Sequence, residues 1–270
     1  MYQEMSGMVQ SLRSGKDFSS RNLSISVDNL INGVLDNKGV LLQLAEIRTV
    51  DNAQYIHAVN VCLISTMIGI NLGLNQSQLK DLAIGALLHD IGKTLSEPEI
   101  PLPLDKMHHT WRGFEMLKSR RDWSLLVAHI ALQHHEKLNG TGVPRGLLAD
   151  EIHLYDKIVA VANNYDNLIG GGGAEGRPLL PHEACELLMS YSERELDHSI
   201  LVEFMRIISV YPNGTSVRLS TKETGVVVRQ HRGLPGRPVI RIVRGAADDM
   251  EVKEMDLSSE TTVFIEGVLS

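Results

Sequence analysis

Between about residue 36 and residue 208 the apolar positions recur with the 3.6-residue period of amphipathic and buried helices. Six segments carry the pattern: Ala58 to Leu74, Gln78 to Lys93, Arg112 to Arg120, Ser124 to Lys137, His153 to Ile169 and His182 to Tyr191. Past Tyr211-Pro212-Asn213-Gly214 the period changes. SVRLS, TGVVVRQ, RPVIRIV and TVFIEGVL are short β-branched runs separated by Gly, Pro and charged turns, the signature of a small β unit. The expected fold class is therefore mainly α, a helical bundle over residues 36–208 with a small C-terminal β unit over 209–270. Residues 1–35 are mixed, with Ser-rich FSSRNLSIS (Phe18 to Ser26) between two modest helical patterns, and are expected to form an N-terminal helical arm that either packs on the bundle or is a remnant linker.

At 270 residues with 43% hydrophobic content, the chain can build a substantial core. A formal charge of -7 and a pI near 5.9 argue against wrapping duplex nucleic acid, which needs a dominant basic surface. Cys62 and Cys185 are the two cysteines. Both fall in apolar helical segments, so packed thiols in a reducing compartment are expected rather than a disulfide framework. No run reaches the length of a membrane span, and the expected setting is cytoplasmic. The β unit carries Arg218, Lys222, Arg229, Arg232, Arg237, Arg241 and Arg244 with few acids, a set that reads first as solvated strand faces and second as a nucleotide or partner surface.

The chemistry concentrates in GALLHDIGK, Gly85 to Lys93. His89 and Asp90 end an apolar helix just before Gly92, and Lys93 lies four residues after His89, so all three can face one cleft. Alone, the pair reads as a satisfied histidine beside a hydrogen-bonded carboxylate. Histidines recur at the ends of other helical segments, however: His57, His109 and the adjacent His134-His135. Imidazole and carboxylate side chains from several helices are how bundles build metal sites. Asp90, with two oxygens, can bridge two cations, with His57 and His89 on one side and His109, His134 and His135 on the other. Such a pair, about 4 Å apart, can activate water and clamp a phosphoryl oxygen. Lys93 is either a point charge for a substrate phosphate or a solvated helix-end lysine. After His135 the sequence enters LNGTGVPRG, either an ordinary connector or, given its attachment to the double histidine, a wall of a substrate cleft.

The order His57, His89-Asp90 with Lys93, His109-Thr110-Trp111-Arg112-Gly113, His134-His135-Glu136 leading to Gly142-Val143-Pro144, then Val161 to Asp166 and Arg177-Pro178 resembles the HD-GYP branch of the HD superfamily. The resemblance spans about residues 45–205, and the tail from Tyr211 is similar to a small β extension of some members. It implies an HD-type helical bundle with a two- or three-metal centre, often iron or manganese, that hydrolyses cyclic di-GMP. It also implies that His57, His89, Asp90, His109, His134, His135 and the residue at 163 are metal ligands. Asp90 and Lys93 are then catalytic, and Lys93, Gly142, Val143, Pro144 and Arg177 meet the substrate.

The chain departs from the branch at several places. The position of the last metal-binding aspartate is Asn163, a weaker donor for such cations, with Asp166 three residues on as a compensating candidate. Val143 replaces the defining tyrosine, and Leu180 stands where a basic residue is expected. Ala53 stands where an acidic residue supports a third metal, so two divalent ions are expected. The segment Ser96 to Lys106, with three prolines, is a shortened loop, and Gly170 to Gly176 lengthens the approach to Arg177. The expected function is a metal-dependent cyclic di-GMP phosphodiesterase. The alternatives are a degenerate HD-GYP module that senses a nucleotide or engages a protein, and an HD hydrolase for another nucleotide. A cyclic dinucleotide is the expected small-molecule partner, with a homodimer or a signalling protein as a possible macromolecular one.

Overall fold

The computed structural model describes residues 20–36, 53–94, 108–171, 176–244 and 251–269. Among these, eight α-helices precede a five-stranded sheet. The helices are α1 Ser20–Asp36, α2 Ala53–Asn71, α3 Gln76–Leu88, α4 His109–Lys118, α5 Leu125–Gln133, α6 Leu154–Ile169, α7 Pro181–Ser190 and α8 His198–Met205. The strands are β1 Ser216–Leu219, β2 Thr224–Arg229, β3 Val239–Arg244, β4 Glu251–Asp256 and β5 Ile265–Val268. Residues 1–19 of the expected arm, the proline-bearing segment Ser96 to Lys106, residues 172–175 of the glycine run and the Arg244 side chain lie outside what is described.

α2 is the central rod. Its residues are apolar on nearly every face, and Ile56, Val61, Cys62, Ile64 and Ile68 are each almost wholly buried, as expected of a helix surrounded by others. Against the expectation that no run reaches the length of a membrane span, this 19-residue helix is long and apolar enough to cross one by length and composition, yet 78% of its apolar window is buried inside the bundle. A reciprocal cap starts α3, where the Asn75 side chain accepts from the Gln78 N–H while the Gln78 side chain accepts from the Asn75 N–H. That closes two of the donors a helix start leaves open. Both cysteines are buried free thiols, and burial pushes each up to about 12.

Three elements differ from the sequence expectation. Within the Ser-rich stretch, Ser20 to Ser26 is already helix: α1 runs from Ser20 because Leu23, Val27, Leu30 and Ile31 form one buried stripe, and Lys80 Nζ sits 2.7 Å from Asp28 Oδ2 to fix it on α3. The two-turn helix α8 was too short to show a period; it buries Ile200, Leu201 and Phe204 behind an Asp197 cap. β4 reads EVKEMD and lacks β-branched alternation because it is an edge strand with Met255 as its buried residue, and edge strands carry charge without loss.

The sheet is antiparallel throughout, in the order β4-β3-β2-β1-β5, around Val217, Leu219, Val227, Ile240 and Ile242. Tyr211 joins the two cores: it packs against both and stacks on His182 of α7 at a centroid distance of 5.5 Å. The basic residues of the sheet are largely engaged. Lys222 pairs with Glu266 and Arg241 with Glu254, both at 2.8 Å, and Arg237 donates to the Val263 carbonyl at 2.6 Å.

Two close approaches place the future site. Gly85 lets α3 rest on Ile130 of α5, and Gly92, in the 3-10 turn Ile91–Thr94 after α3, lies against the His109 carbonyl and the Gly113 N–H of α4. A β-carbon at 92 would collide with His109 backbone, which cannot swing away. Gly92→Ala is expected to cost about 2 kcal/mol or more, the upper range for overpacking, and to move His109. Urea denaturation measures the first and metal stoichiometry the second.

Asp156, in the first turn of α6, is buried with neither oxygen in a hydrogen bond of good geometry among the described residues. Burial pushes its carboxyl up to about 8, the Glu136 charge adds to this, and the His153 backbone opposes it. The native state then holds a proton that the unfolded chain releases near 3.8. Its contribution to stability is full below that value and is lost as pH rises through about 8. Asp156→Asn should flatten this slope. Urea midpoints from about pH 5 to about pH 8.5 should fall for the wild type relative to the variant.

Candidate metal centre

The site assembles where helices end, for a local reason. The last carbonyls of a helix have no intrahelical partner, and histidine at that point can donate to them. His89 caps α3 and faces the Ala86 carbonyl through Nδ1 at 2.7 Å. His134 caps α5 and faces the Ile130 and Ala131 carbonyls through Nδ1, each at 3.1 Å. A carbonyl accepts and never donates, so both Nδ1 atoms carry the proton and both Nε2 atoms present lone pairs. His57, in the first turns of α2, makes the same choice through a carboxylate: its Nδ1 lies 2.7 Å from Asp166 Oδ2.

Those Nε2 atoms converge. His57 Nε2 and His89 Nε2 are 3.1 Å apart, and His109 Nε2 and His134 Nε2 are 3.5 Å apart. Burial holds the His89 imidazole down to about 3 and lowers His134 as well. It brings His135 down to about 2, with His134 and His109 adding to the effect. These rings are neutral at pH 7. The His89 lone pair therefore faces His57 Nε2 at 3.1 Å, close enough for one cation to take both nitrogens as donors.

Asp90 stands between the two sets. Its Oδ2 lies 3.7 Å from His57 Nε2 and 3.5 Å from His89 Nε2, while its Oδ1 lies 3.3 Å from His109 Nε2 and 3.4 Å from His134 Nε2. Burial alone would raise the carboxyl, but His89, His109 and His134 together outweigh it and hold Asp90 far below the usual carboxylate range. Lys93 Nζ is 2.6 Å from Oδ2. Oδ1 is buried with no hydrogen-bond partner among the described residues. Orphaned buried oxygens are rare and call for an ion or water. Two overlapping groups could each hold a metal ion: Asp90, His109, His134 and His135, and His57, His89 and Asp90. Neutral imidazoles and a carboxylate suit borderline divalent ions, so the residues present fit such a group.

The other sequence candidates are placed differently. Asn163 is buried on α6, and its Oδ1 accepts from Asn167 Nδ2 at 3.0 Å. The turn at Gly142-Val143-Pro144 is tied to the centre through its backbone: Val143 N–H donates to the His135 carbonyl at 3.1 Å. Gly142 presses on the backbone of Glu136 and Lys137, leaving no room for a β-carbon. Val143 is 47% exposed at the loop surface. Arg177 is exposed and reaches Glu183 at 3.4 Å through both terminal nitrogens.

Sequence reasoning offered Asp166 as a substitute ligand and passed over Asn60 and Glu136 as partners. Asp166 instead turns to His57, and Asn60 Nδ2 donates to its other oxygen at 2.8 Å. The available signal was spacing, since Asn60 follows His57 by three residues on one helix face. Glu136 holds the loop, its carboxylate accepting from the Arg145 N–H at 2.8 Å and the Leu147 N–H at 2.9 Å.

With this geometry in view, the comparisons with known proteins are decisive for kinship. A family model described as an HD domain matches residues 38–200, and one described as a KOW domain associated with HD domain matches residues 216–270. The chain belongs to the HD-domain family. Within it the chain is of the HD-GYP type, with valine at the tyrosine position. It is 30% identical over 239 residues to the cyclic di-GMP phosphodiesterase PA4108 of Pseudomonas aeruginosa, covering 83% of this chain and 56% of that protein. It is 35% identical over 140 residues to a cyclic di-GMP phosphodiesterase of Thermotoga maritima, covering 48% of this chain and 38% of that protein. The chain thus spans about half the length, or less, of these curated relatives. In fold it is similar to an HDG"Y"P protein from Bdellovibrio bacteriovorus, with a TM-score of 0.57 at 23% identity over 75% of this chain and 68% of that one.

The Asp166 to His57 contact is the arrangement by which a carboxylate fixes the tautomer of a metal-facing histidine. Asp166→Ala should weaken divalent-metal affinity about 10- to 100-fold, and Asp166→Asn should weaken it less, because the amide oxygen still accepts from Nδ1. Calorimetric Mn(II) titration of metal-free protein checks the order of the two.

Proposed function

We propose that this HD-domain protein is a metal-dependent phosphodiesterase that hydrolyses cyclic di-GMP at a binuclear His/Asp centre. The observation that carries the reading is Asp90, whose two oxygens face two separate sets of imidazole Nε2 atoms. The relatives named as cyclic di-GMP phosphodiesterases support the substrate.

In this reading His57, His89 and Asp90 form one half of the centre, and Asp90, His109, His134 and His135 form the other. Asn163 borders it as a neutral donor. Divalent cations held there, iron or manganese by the family resemblance, would supply Lewis-acid polarisation of a phosphoryl oxygen and a water acidic enough to attack at neutral pH. The chain does the positioning. Asp166, Ala86 and Ile130 fix the imidazoles in one tautomer, so no reorganisation is needed when substrate arrives. Asp90 organises the two halves, and Lys93 brings an ammonium to the phosphodiester. Gly142, Val143 and Pro144 wall the cleft beside His135, and Arg177 meets a phosphate or base once released from Glu183.

Valine at 143 removes the ring on which a base would stack, which is typically worth ~1 to 3 kcal/mol. Together with the amide at 163, it favours a second reading, a metal-bearing module that senses the nucleotide with little turnover. One experiment separates the two. Metal-loaded protein is given cyclic di-GMP and a nitrophenyl phosphodiester, with products resolved by chromatography and binding followed by calorimetry. Turnover of both is expected, falling about 100-fold or more in His89→Ala and Asp90→Ala together with metal content, with helicity kept. Binding without turnover selects the sensor. Cleavage of the generic ester without binding of cyclic di-GMP rejects the substrate.

A further inference from the structure

The two halves of the centre are not equivalent, and the difference lies in Asp90. Its Oδ1 faces His109 and His134, is buried and has no hydrogen-bond partner among the described residues. Its Oδ2 faces His57 and His89 and is already engaged, at 2.6 Å, by the Lys93 ammonium. The Oδ1 half also offers four donor residues and the Oδ2 half three.

We propose that the centre loads its cations in a fixed order set by Lys93. The first enters at Asp90, His109, His134 and His135. The second enters at His57, His89 and Asp90 when it displaces the Lys93 ammonium from Oδ2. This rests on the reading of the site as a binuclear centre. A cation arriving at Oδ1 meets an oxygen that, among the described residues, carries no ammonium and no hydrogen bond of good geometry. One arriving at Oδ2 must break a short charge-assisted hydrogen bond, and does so beside a dication already in place, with one donor fewer. All three costs fall on the second step. The Lys93 side chain is 44% exposed, so the displaced ammonium can swing to water without being buried unpaired. Once free it is available to a phosphate in the cleft, so full metal loading and the release of a substrate-binding charge are one event.

The test is Mn(II) binding to the metal-free 270-residue chain, by calorimetry for affinity and by electron paramagnetic resonance for the exchange-coupled pair that two bridged ions give. Wild type should bind in two resolved steps, with the coupled signal growing in the second alone. Lys93→Met and the polar Lys93→Gln should tighten the second step at least tenfold. Loss of a nearby positive charge also helps the first ion, so the signature is a narrowed gap between the steps. His57→Ala should keep the first step and lose the second, whereas His135→Ala should weaken the first. An unchanged gap in both Lys93 variants, or loss of the first step in His57→Ala, overturns the order. If the wild type binds no Mn(II), or if His57→Ala and His135→Ala both keep two ions, the binuclear reading itself falls and the order with it.

Discussion

A single carboxylate, almost fully buried, is shared by two sets of imidazoles, and the helices around it deliver a donor to one oxygen or the other. Asp90 follows α3, His57 comes from α2, His109 from the start of α4 and His134-His135 from the end of α5. Placing an ionised carboxylate there costs several kcal/mol unless it is compensated. Lys93 covers one oxygen and nothing among the described residues donates to the other. A cation that bound there in the native state alone would offset that cost and stabilise the fold by linkage.

Around this group the protein uses ordinary backbone chemistry to obtain unusual precision. Carbonyls in the last turns of α3 and α5 take the Nδ1 protons of His89 and His134, that of Ile130 in addition to the His134 backbone N–H. α2 has no open carbonyl at His57, which lies in its first turns, so Asp166 takes that role from α6, held by Asn60. Glu136 does the same for the loop, tying Arg145 and Leu147 back to the residue after His135. Ligand orientation and loop position thereby share the rigidity of the helices that carry them.

Much of this was legible in the sequence. Period identified six helices, and the clustering of His57, His89-Asp90, His109 and His134-His135 at segment ends foretold both the convergence and its division between two sides of Asp90. What escaped had physical causes. α8 is two turns long, and a period needs more residues than that. β4 is an edge strand whose sequence answers to water as much as to pairing. Asn163 and Asp166 lie three residues apart on one helix, so spacing alone cannot say which faces the centre and which braces a ligand; the answer lies in the partner helix, where His57 and Asn60 meet Asp166. The close approach of Gly92 to α4 is likewise a property of two segments at once.

Two contacts that join the C-terminal part to the helical bundle differ in kind. Arg232 reaches Asn71 at 3.5 Å, the last residue of α2. With His57 fourteen residues earlier, at 1.5 Å of rise per residue, that contact lies about 21 Å along the rod from the centre. It anchors the sheet without touching the ligand set. Tyr211 instead stacks on His182, the neighbour of Glu183, whose carboxylate accepts from the Leu180 N–H and holds Arg177. The Leu180 N–H, foremost, and Arg177 keep that carboxyl below its ordinary range. Glu183 is thus committed at once to starting α7 and to restraining an exposed arginine, while its neighbour is packed against the joint between the two cores. Tyr211 therefore packs beside the segment that carries Arg177, while the His and Asp cluster is built from the helices.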